Sequence, residues 1–317
     1  MENEKTQALI NAFEPKRLAA RRSCRHLQIF GWVFLSLGLL LFVGVFTSGE
    51  NGAMFFILGL GILFLGILIL SISRLAKRKF QKSLSDEVEE EVNQVLFPNA
   101  VVNHNIGVSY ETMMGPGFFA PPDRYIGTDL RTSDYHGISF EQGHYCLQER
   151  TASNNSRGRS GSTYVDYAMG TLYHFAFERD FGQIVKVIEK EGTLSFNVNK
   201  LKKVETEYIE FNRKFMVLAS DETTCFFLLT PQIQEKLMSF EKMFKGQFYL
   251  AFIGRDLFIC ANNSDGSMPI PWKEPLSIDN MQPAIESMAL PAVFIDLLGL
   301  SLPKFEKNGG IDVNKPS

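Results

Sequence analysis

Leu27 to Phe46 reads LQIFGWVFLSLGLLLFVGVF, and Ala53 to Ile72 reads AMFFILGLGILFLGILILSI. Each run is 20 residues long; the first contains one amide, Gln28, and one hydroxyl, Ser36, and the second only Ser71. At a rise of ~1.5 Å per residue each spans ~30 Å, the thickness of a bilayer's hydrocarbon core. Backbone groups in lipid must bond internally, so both runs are expected to be helices. A buried core helix would carry a polar stripe, and these have none. A cleaved signal peptide would have a shorter apolar region and a small-x-small site after it. The link Thr47-Ser48-Gly49-Glu50-Asn51-Gly52 is short and turn-forming, which predicts an antiparallel hairpin.

Charge falls unevenly around these runs. Residues 1–82 carry eleven Lys/Arg and four Asp/Glu, whereas residues 83–317 carry 21 and 31, so a chain of net charge −3 divides into parts of +7 and −10. So acidic a domain is not expected to bind nucleic acid. Arg17, Arg21, Arg22 and Arg25 precede the first span, Arg74, Lys77, Arg78 and Lys79 follow the second, and the link holds no base. The positive-inside rule then predicts a multi-pass protein of a bacterial inner membrane, with both termini and the main domain in the cytoplasm. The same eight bases are candidates for contact with anionic headgroups. Four scattered cysteines, Cys24, Cys146, Cys225 and Cys260, exclude a disulfide scaffold and fit a reducing compartment.

Glycines mark the candidate helix contact: Gly31 and Gly38 in the first run, and Gly52, Gly59 and Gly66 in the second, recur every seven residues. Each set lies on one helix face, where small residues let backbones approach closely. The spacing leaves open whether the contact is within the hairpin or between chains.

The expected organisation is a basic segment 1–26, a hairpin 27–72, a juxtamembrane helix 73–99, an α+β domain 100–303 of mostly antiparallel strands with a few amphipathic helices, and a loose tail 304–317. Short strands are predicted at Val101–Val102, Gly107–Tyr110, Gly137–Phe140 and His144–Leu147. Further strands are predicted at Thr171–Phe177, Gly182–Ile188, Lys214–Ser220 and Thr224–Leu229. Thr230-Pro231 opens a helix with Ile233, Leu237, Phe240 and Phe244 on its buried stripe. A hairpin Phe248–Ile253 and Leu257–Ala261 turns at Gly254-Arg255-Asp256. A last helix of about two turns covers Pro291 to Leu298. The polar stretch 151–163, with Arg157 and Arg159, reads as a hairpin loop. The apolar loop Met113–Pro122 has two readings: a docking surface presenting Met113, Met114, Phe118 and Phe119, or a segment folded back on its own core.

The run Glu207 to Ala261 resembles the core of a bacterial membrane-protein family known only as domain-of-unknown-function family 3137. Phe211, Phe215 and Val217, the turn at Asp221, Leu229-Thr230-Pro231, and Phe252 to Ile259 carry the likeness. Tyr125-Ile126-Gly127-Thr128-Asp129 with Gly137 and Phe140 resembles an earlier family segment. The resemblance extends over about residues 75–300 and includes a pair of membrane spans. Where the family often has Ala-Arg-Tyr, this chain has Cys225-Phe226-Phe227. The family implies no reaction, cofactor or catalytic residue. It loosely implies an association with LemA-like membrane proteins.

The one polar cluster with metal-ligand chemistry is Asp134, His136, His144 and Cys146. Its spacing is looser than that of usual zinc sites, and no second cysteine pairs with Cys146. GxSxG, HExxH, GxGxxG and the phosphate-loop pattern are absent from the sequence. No cofactor is expected. The reading that follows is a membrane protein that presents a cytosolic binding or scaffolding domain at the inner membrane face, with anionic lipid at its basic flanks and an unidentified protein as partners; the alternative is a membrane-tethered hydrolase with an unrecognised active site.

Overall fold

The computed structural model describes residues 3–47, 52–154, 160–190, 201–241, 246–262 and 272–306. The chain divides into two compact units, residues 1–92 with 268–288 and residues 93–267 with 289–317. Two long apolar helices precede an antiparallel sheet domain with packed helices, so the chain has the α+β layout read from its sequence.

In the first unit, helix α1 runs from Asn3 to Thr47 and α2 from Gly52 to Leu96, 45 residues each. Both therefore continue well past the apolar runs. Their contact is a seven-residue repeat longer than the glycines alone. Ile10, Arg17, Cys24, Gly31 and Gly38 are all buried along α1, and Gly52, Gly59, Gly66 and Ser73 along α2. A strict seven-residue repeat keeps one seam facing a partner helix over many turns. The pairing is within the chain. A Cβ placed on Gly38 would lie 2.8 Å from Leu63 Cγ, one on Gly31 would lie 2.6 Å from Leu70 Cδ2, and one on Gly66 would lie 3.0 Å from Leu35 Cγ. The Ser73 hydroxyl donates to the Cys24 carbonyl at 3.2 Å, and Lys16 pairs with Glu87 at 2.6 Å.

The outer surface of this hairpin inverts the soluble pattern. Glycines fill the seam, while Trp32, Leu40 and Phe64 point outward at 65%, 68% and 68% exposure. In the most apolar stretch of each helix only 11% of the residues are buried. Both are long and apolar enough to cross a membrane.

The second unit is built on nine antiparallel strands in the order β1-β2-β3-β4-β9-β8-β5-β7-β6. They are β1 (Val101–Asn103), β2 (Arg124–Tyr135), β3 (Ile138–Asn154), β4 (Ser160–Ala176), β5 (Ile184–Glu189), β6 (Lys202–Val204), β7 (Phe215–Ala219), β8 (Gln247–Ile253) and β9 (Asp256–Asn262). Among the described residues both outermost strands, β1 and β6, are three residues long. Beyond β1, the loop at Ile106 covers part of the flank of β2, with its carbonyl accepting from the Leu130 N–H at 2.9 Å. The β2–β3 link is a two-residue turn in which His136 and Gly137 both have positive φ, 48° and 79°, the type that matches strand twist.

Both sheet faces are covered, which explains why β8 and β9 read as unbroken apolar runs. Phe248, Leu250, Phe252, Leu257 and Ile259 face helices α4 (Ile209–Lys214), α5 (Glu222–Leu228), α6 (Pro231–Glu241) and the end of α7 (Ile278–Leu298). Tyr249, Ala251, Phe258 and Cys260 face the other way, toward Val108, Met113, Phe118 and Phe119. Val108 precedes the short helix α3 (Tyr110–Met114), Met113 lies in it, and Phe118 and Phe119 lie in the loop after it.

Several local expectations are corrected. Thr224–Leu229 is not a strand: it lies in α5, capped by Asp221, whose carboxylate accepts from the Thr224 N–H at 2.7 Å. Cys225 and Leu228 point inward and Phe226 and Phe227 outward, a helical alternation. Gly107–Ser109 is a loop whose Ser109 caps α3, and Tyr110 is the first residue of that helix. The last helix is 21 residues rather than two turns, because Pro283 and Pro291, breakers when read alone, sit inside it. Gly137 is a turn residue and β3 starts after it; His144–Leu147 belongs to the same 17-residue strand. Residues 151–154 and 160–163 pair as strands, and Arg157 and Arg159 lie outside the described residues. Phe244 also lies outside them.

Candidate functional site

Among the described residues, three of the places that carry charge in ordered geometry stand out. The first is in the hairpin unit. Arg17 falls on the buried seven-residue repeat, and its guanidinium grips Glu14 in two bonds, 2.7 Å and 2.6 Å. Its remaining nitrogen donates to the Trp272 carbonyl at 2.9 Å, and Glu14 accepts the Leu276 N–H at 3.0 Å. The Trp272 ring meets Phe80 edge-on at 5.6 Å and lies 5.8 Å from the Lys77 ammonium. The segment 272–276 is thereby clasped to both helices. Arg17 is 1% exposed, so it is a clasp and not a headgroup contact. Arg21, Arg22, Arg25, Arg74, Arg78 and Lys79 are exposed, and Lys77 is half-buried.

The second place is on the sheet. Alternation and antiparallel register put Glu141 of β3 beside His174 of β4, and His174 beside Phe258 of β9. Both ring nitrogens of His174 are engaged, Nδ1 with Glu141 at 2.8 Å and Nε2 with Asp256 at 2.8 Å. The ring stacks on Phe258 at 4.6 Å. Burial works against protonation here, but hydrogen bonds to the two carboxylates outweigh it and hold the His174 pKa above its ordinary value. An imidazolium donating to two carboxylates is a structural tie rather than a general base. Its stabilising effect is complete below about pH 6.5, the unfolded value, and is lost as pH rises through the higher folded value. Thermal melting of the full chain beside His174→Gln is expected to show the widest gap near about pH 6 and a narrowing gap toward about pH 9. A gap that widens with pH would contradict the tie.

The third place is around Phe227, where Arg179 and Lys304 flank the ring at 5.3 Å and 5.9 Å.

The residues singled out for a metal are dispersed. Asp134 accepts from Asn99 at 3.2 Å. His136 occupies the turn, stacks on Tyr135 and reaches Asp296 at 3.2 Å. His144 bonds the Thr171 hydroxyl at 2.9 Å. Cys146 shares its strand face, and burial pushes its thiol up to about 11. Among the described residues no three His, Cys, Asp or Glu groups are placed to hold a metal ion. Burial likewise pushes the Cys225 and Cys260 thiols up, to about 11 and about 12, far from the thiolate a nucleophile requires.

The apolar loop resolves to core. Met113 and Phe118 are fully buried and Phe119 nearly so. Phe118 packs 5.6 Å from the Tyr249 ring, and Phe119 5.5 Å from Tyr145. These side chains are spent on the sheet and not offered to a partner. Met114 is half-buried against the same cluster.

Sequence reading missed Glu14, Glu141, Asp256 and Trp272. The Glu14–Arg17 spacing of three was a usable signal, since such pairs meet on a helix. For Glu141 and Asp256 none existed, because cross-strand register cannot be read from one strand.

An apolar helical hairpin joined to a two-faced antiparallel sheet defines a protein with two candidate membrane helices and a domain of unknown activity. Residues 169–300 match the family described as "Protein of unknown function (DUF3137)", so the resemblance seen at Glu207–Ala261 is borne out. The earlier segment at 125–140 lies outside the match. No curated protein matches the chain. Among solved structures it is similar to the mycobacterial trehalose monomycolate transport factor A, TtfA, at 5% identity over 54% of this chain and 73% of that one, with a TM-score of 0.29. So low a score bears on neither fold nor activity.

Proposed function

We propose that this is an inner-membrane protein of two spans that holds an α+β binding or scaffolding domain on the cytoplasmic side. The observation that carries the reading is the inverted hairpin, with glycine in the seam and large apolar side chains outward, an arrangement that lipid favours and water penalises. The excess of bases beyond both apolar runs, and the lack of any in the link, argue for the orientation. Arg21, Arg22, Arg25, Arg74, Arg78 and Lys79 are the bases we assign to anionic headgroups, each contributing about 1 kcal/mol. A protein partner, weakly a LemA-like membrane protein, remains part of this proposal. A hydrolase reading gains no support from His174, whose two nitrogens are both engaged, or from thiols held near 11 and 12.

Thiol labelling tests the topology. Glu50 lies outside the described residues but within the link. A cysteine replacing it is expected to react with a membrane-impermeant maleimide in intact cells. Cys146 would be a poor internal reporter because its thiol resists ionisation, so Ser301→Cys, on an exposed turn, serves instead. It is expected to react only after permeabilisation. The opposite labelling would reverse the orientation.

A further inference from the structure

Between β4 and β5 the chain reads Phe177-Glu178-Arg179-Asp180-Phe181, and it meets the 3-10 turn Pro303–Phe305. The Arg179 N–H donates to the Phe305 carbonyl at 3.1 Å, and its guanidinium donates to the Lys304 carbonyl at 3.0 Å. These bonds fix both cations beside the exposed side of α5. The Arg179 guanidinium lies 5.3 Å from the rings of both Phe181 and Phe227. The Lys304 ammonium lies 5.9 Å from Phe227 and 4.9 Å from Phe305. Lys236 of α6 adds a third cation, close enough that, after burial, its charge is the second factor holding the Lys304 pKa below its ordinary value.

The surface around these cations is apolar. Phe226 and Phe227 are 46% and 36% exposed, and Leu302, two residues before Lys304, is 52% exposed. Among the described residues neither Lys304 nor Lys236 has a carboxylate within ion-pair distance, and the Asp180 carboxylate pairs with Arg255 at 3.7 Å. The half-buried Lys304 and Lys236 repel one another, and an anion at the same place would relieve that repulsion.

We propose that the patch formed by Arg179, Phe226, Phe227, Lys236, Leu302 and Lys304 docks on the anionic phospholipid surface of the bilayer. The inference rests on the membrane reading above. It adds a second lipid contact, on the sheet domain rather than at the hairpin. The cations take the phosphate oxygens, and the Phe226 and Phe227 rings enter the boundary between headgroup and acyl chain, where aromatic bodies with charged neighbours gain most. Charge complementarity favours this occupant, because a phospholipid supplies a concentrated anion and an apolar boundary together.

Full-length protein in nanodiscs of phosphatidylcholine with phosphatidylglycerol tests it, with bromine carried on one lipid or the other as a quencher. Trp32, on the lipid-facing side of α1, reports the membrane reading by itself: it is expected to be quenched in every brominated disc. The emission added by Phe226→Trp reports the patch. It is expected to lose most of its intensity with brominated phosphatidylglycerol, and to recover when Arg179→Gln and Lys304→Gln are combined with it. Should that pair lower the melting temperature, Lys236→Gln alone decides, with partial recovery expected. Quenching of Trp32 without quenching at position 226 would overturn the docking site and leave the membrane reading intact. Equal quenching in discs of phosphatidylcholine alone would overturn the anionic assignment. Loss of the signal in excess inorganic phosphate at constant ionic strength would reassign the patch to a small anion, which also overturns the proposal.

Discussion

Gly38→Leu is expected to separate the helical hairpin, whereas Gly61→Leu leaves it intact. A Cβ on Gly38 would lie 2.8 Å from Leu63 Cγ and 2.9 Å from the Leu63 backbone nitrogen, and the backbone atom cannot swing aside. Gly61 has nothing within 4 Å of the same construction. The two positions have the same residue type in the same apolar setting, so the comparison isolates the seam. Overpacking in a close-packed site costs about 1–3 kcal/mol, and a leucine adds three further carbons to the clash. In lipid no hydrophobic force between helices compensates, since acyl chains solvate the separated helices as well as each other. Proteolysis and melting in mild detergent would measure the difference. Equal behaviour of the two variants would mean that the seam contributes nothing to association.

Phe118→Asp is expected to unfold the sheet domain. The ring is fully buried and packed against Tyr249 and Phe119. The side chains packed around it are apolar or aromatic, so a carboxylate placed there loses its water. The loss is on the order of 4–5 kcal/mol, a large part of a domain's whole stability. Phe226→Asp has the same chemistry on an exposed helix face and is expected to change melting little. If both variants melted alike, the core assignment of the 113–122 loop would fail.

The parts of the fold that were legible share one property: their signal is local. Phe248–Ile253 falls one residue short of β8 at its start and Leu257–Ala261 one residue short of β9 at each end, because a glycine turn separates two dense apolar runs. The helix at Pro231 is marked by its own proline. The hairpin spans announce themselves by length and composition. What failed was either competition between local signals or information carried elsewhere in the chain. Cys225-Phe226-Phe227-Leu228 has strand-like residue types, yet Asp221 three residues before Thr224 caps a helix and wins. The last helix is expected from Pro291, but it begins at Ile278 and buries Met281, Ile285, Phe294 and Ile295 along its length. The Glu141–His174–Asp256 tie needed the register of three strands. Arg17 looked like a surface base because its burial depends on a carbonyl 255 residues away.

On the membrane reading proposed above, the molecule is confined to a plane, and there the two short outermost strands matter. Proteins held on one surface collide far more often than the same number in free solution, and an open sheet flank is a template for stacking one copy on the next. Here the described flanks end in β1 and β6, three residues each, and the loop at Ile106 closes further backbone of β2. Such stubs provide room for only a few intermolecular backbone bonds, too few to repay the ordering of two chains. At these two ends, then, side-by-side polymerisation has little backbone to build on.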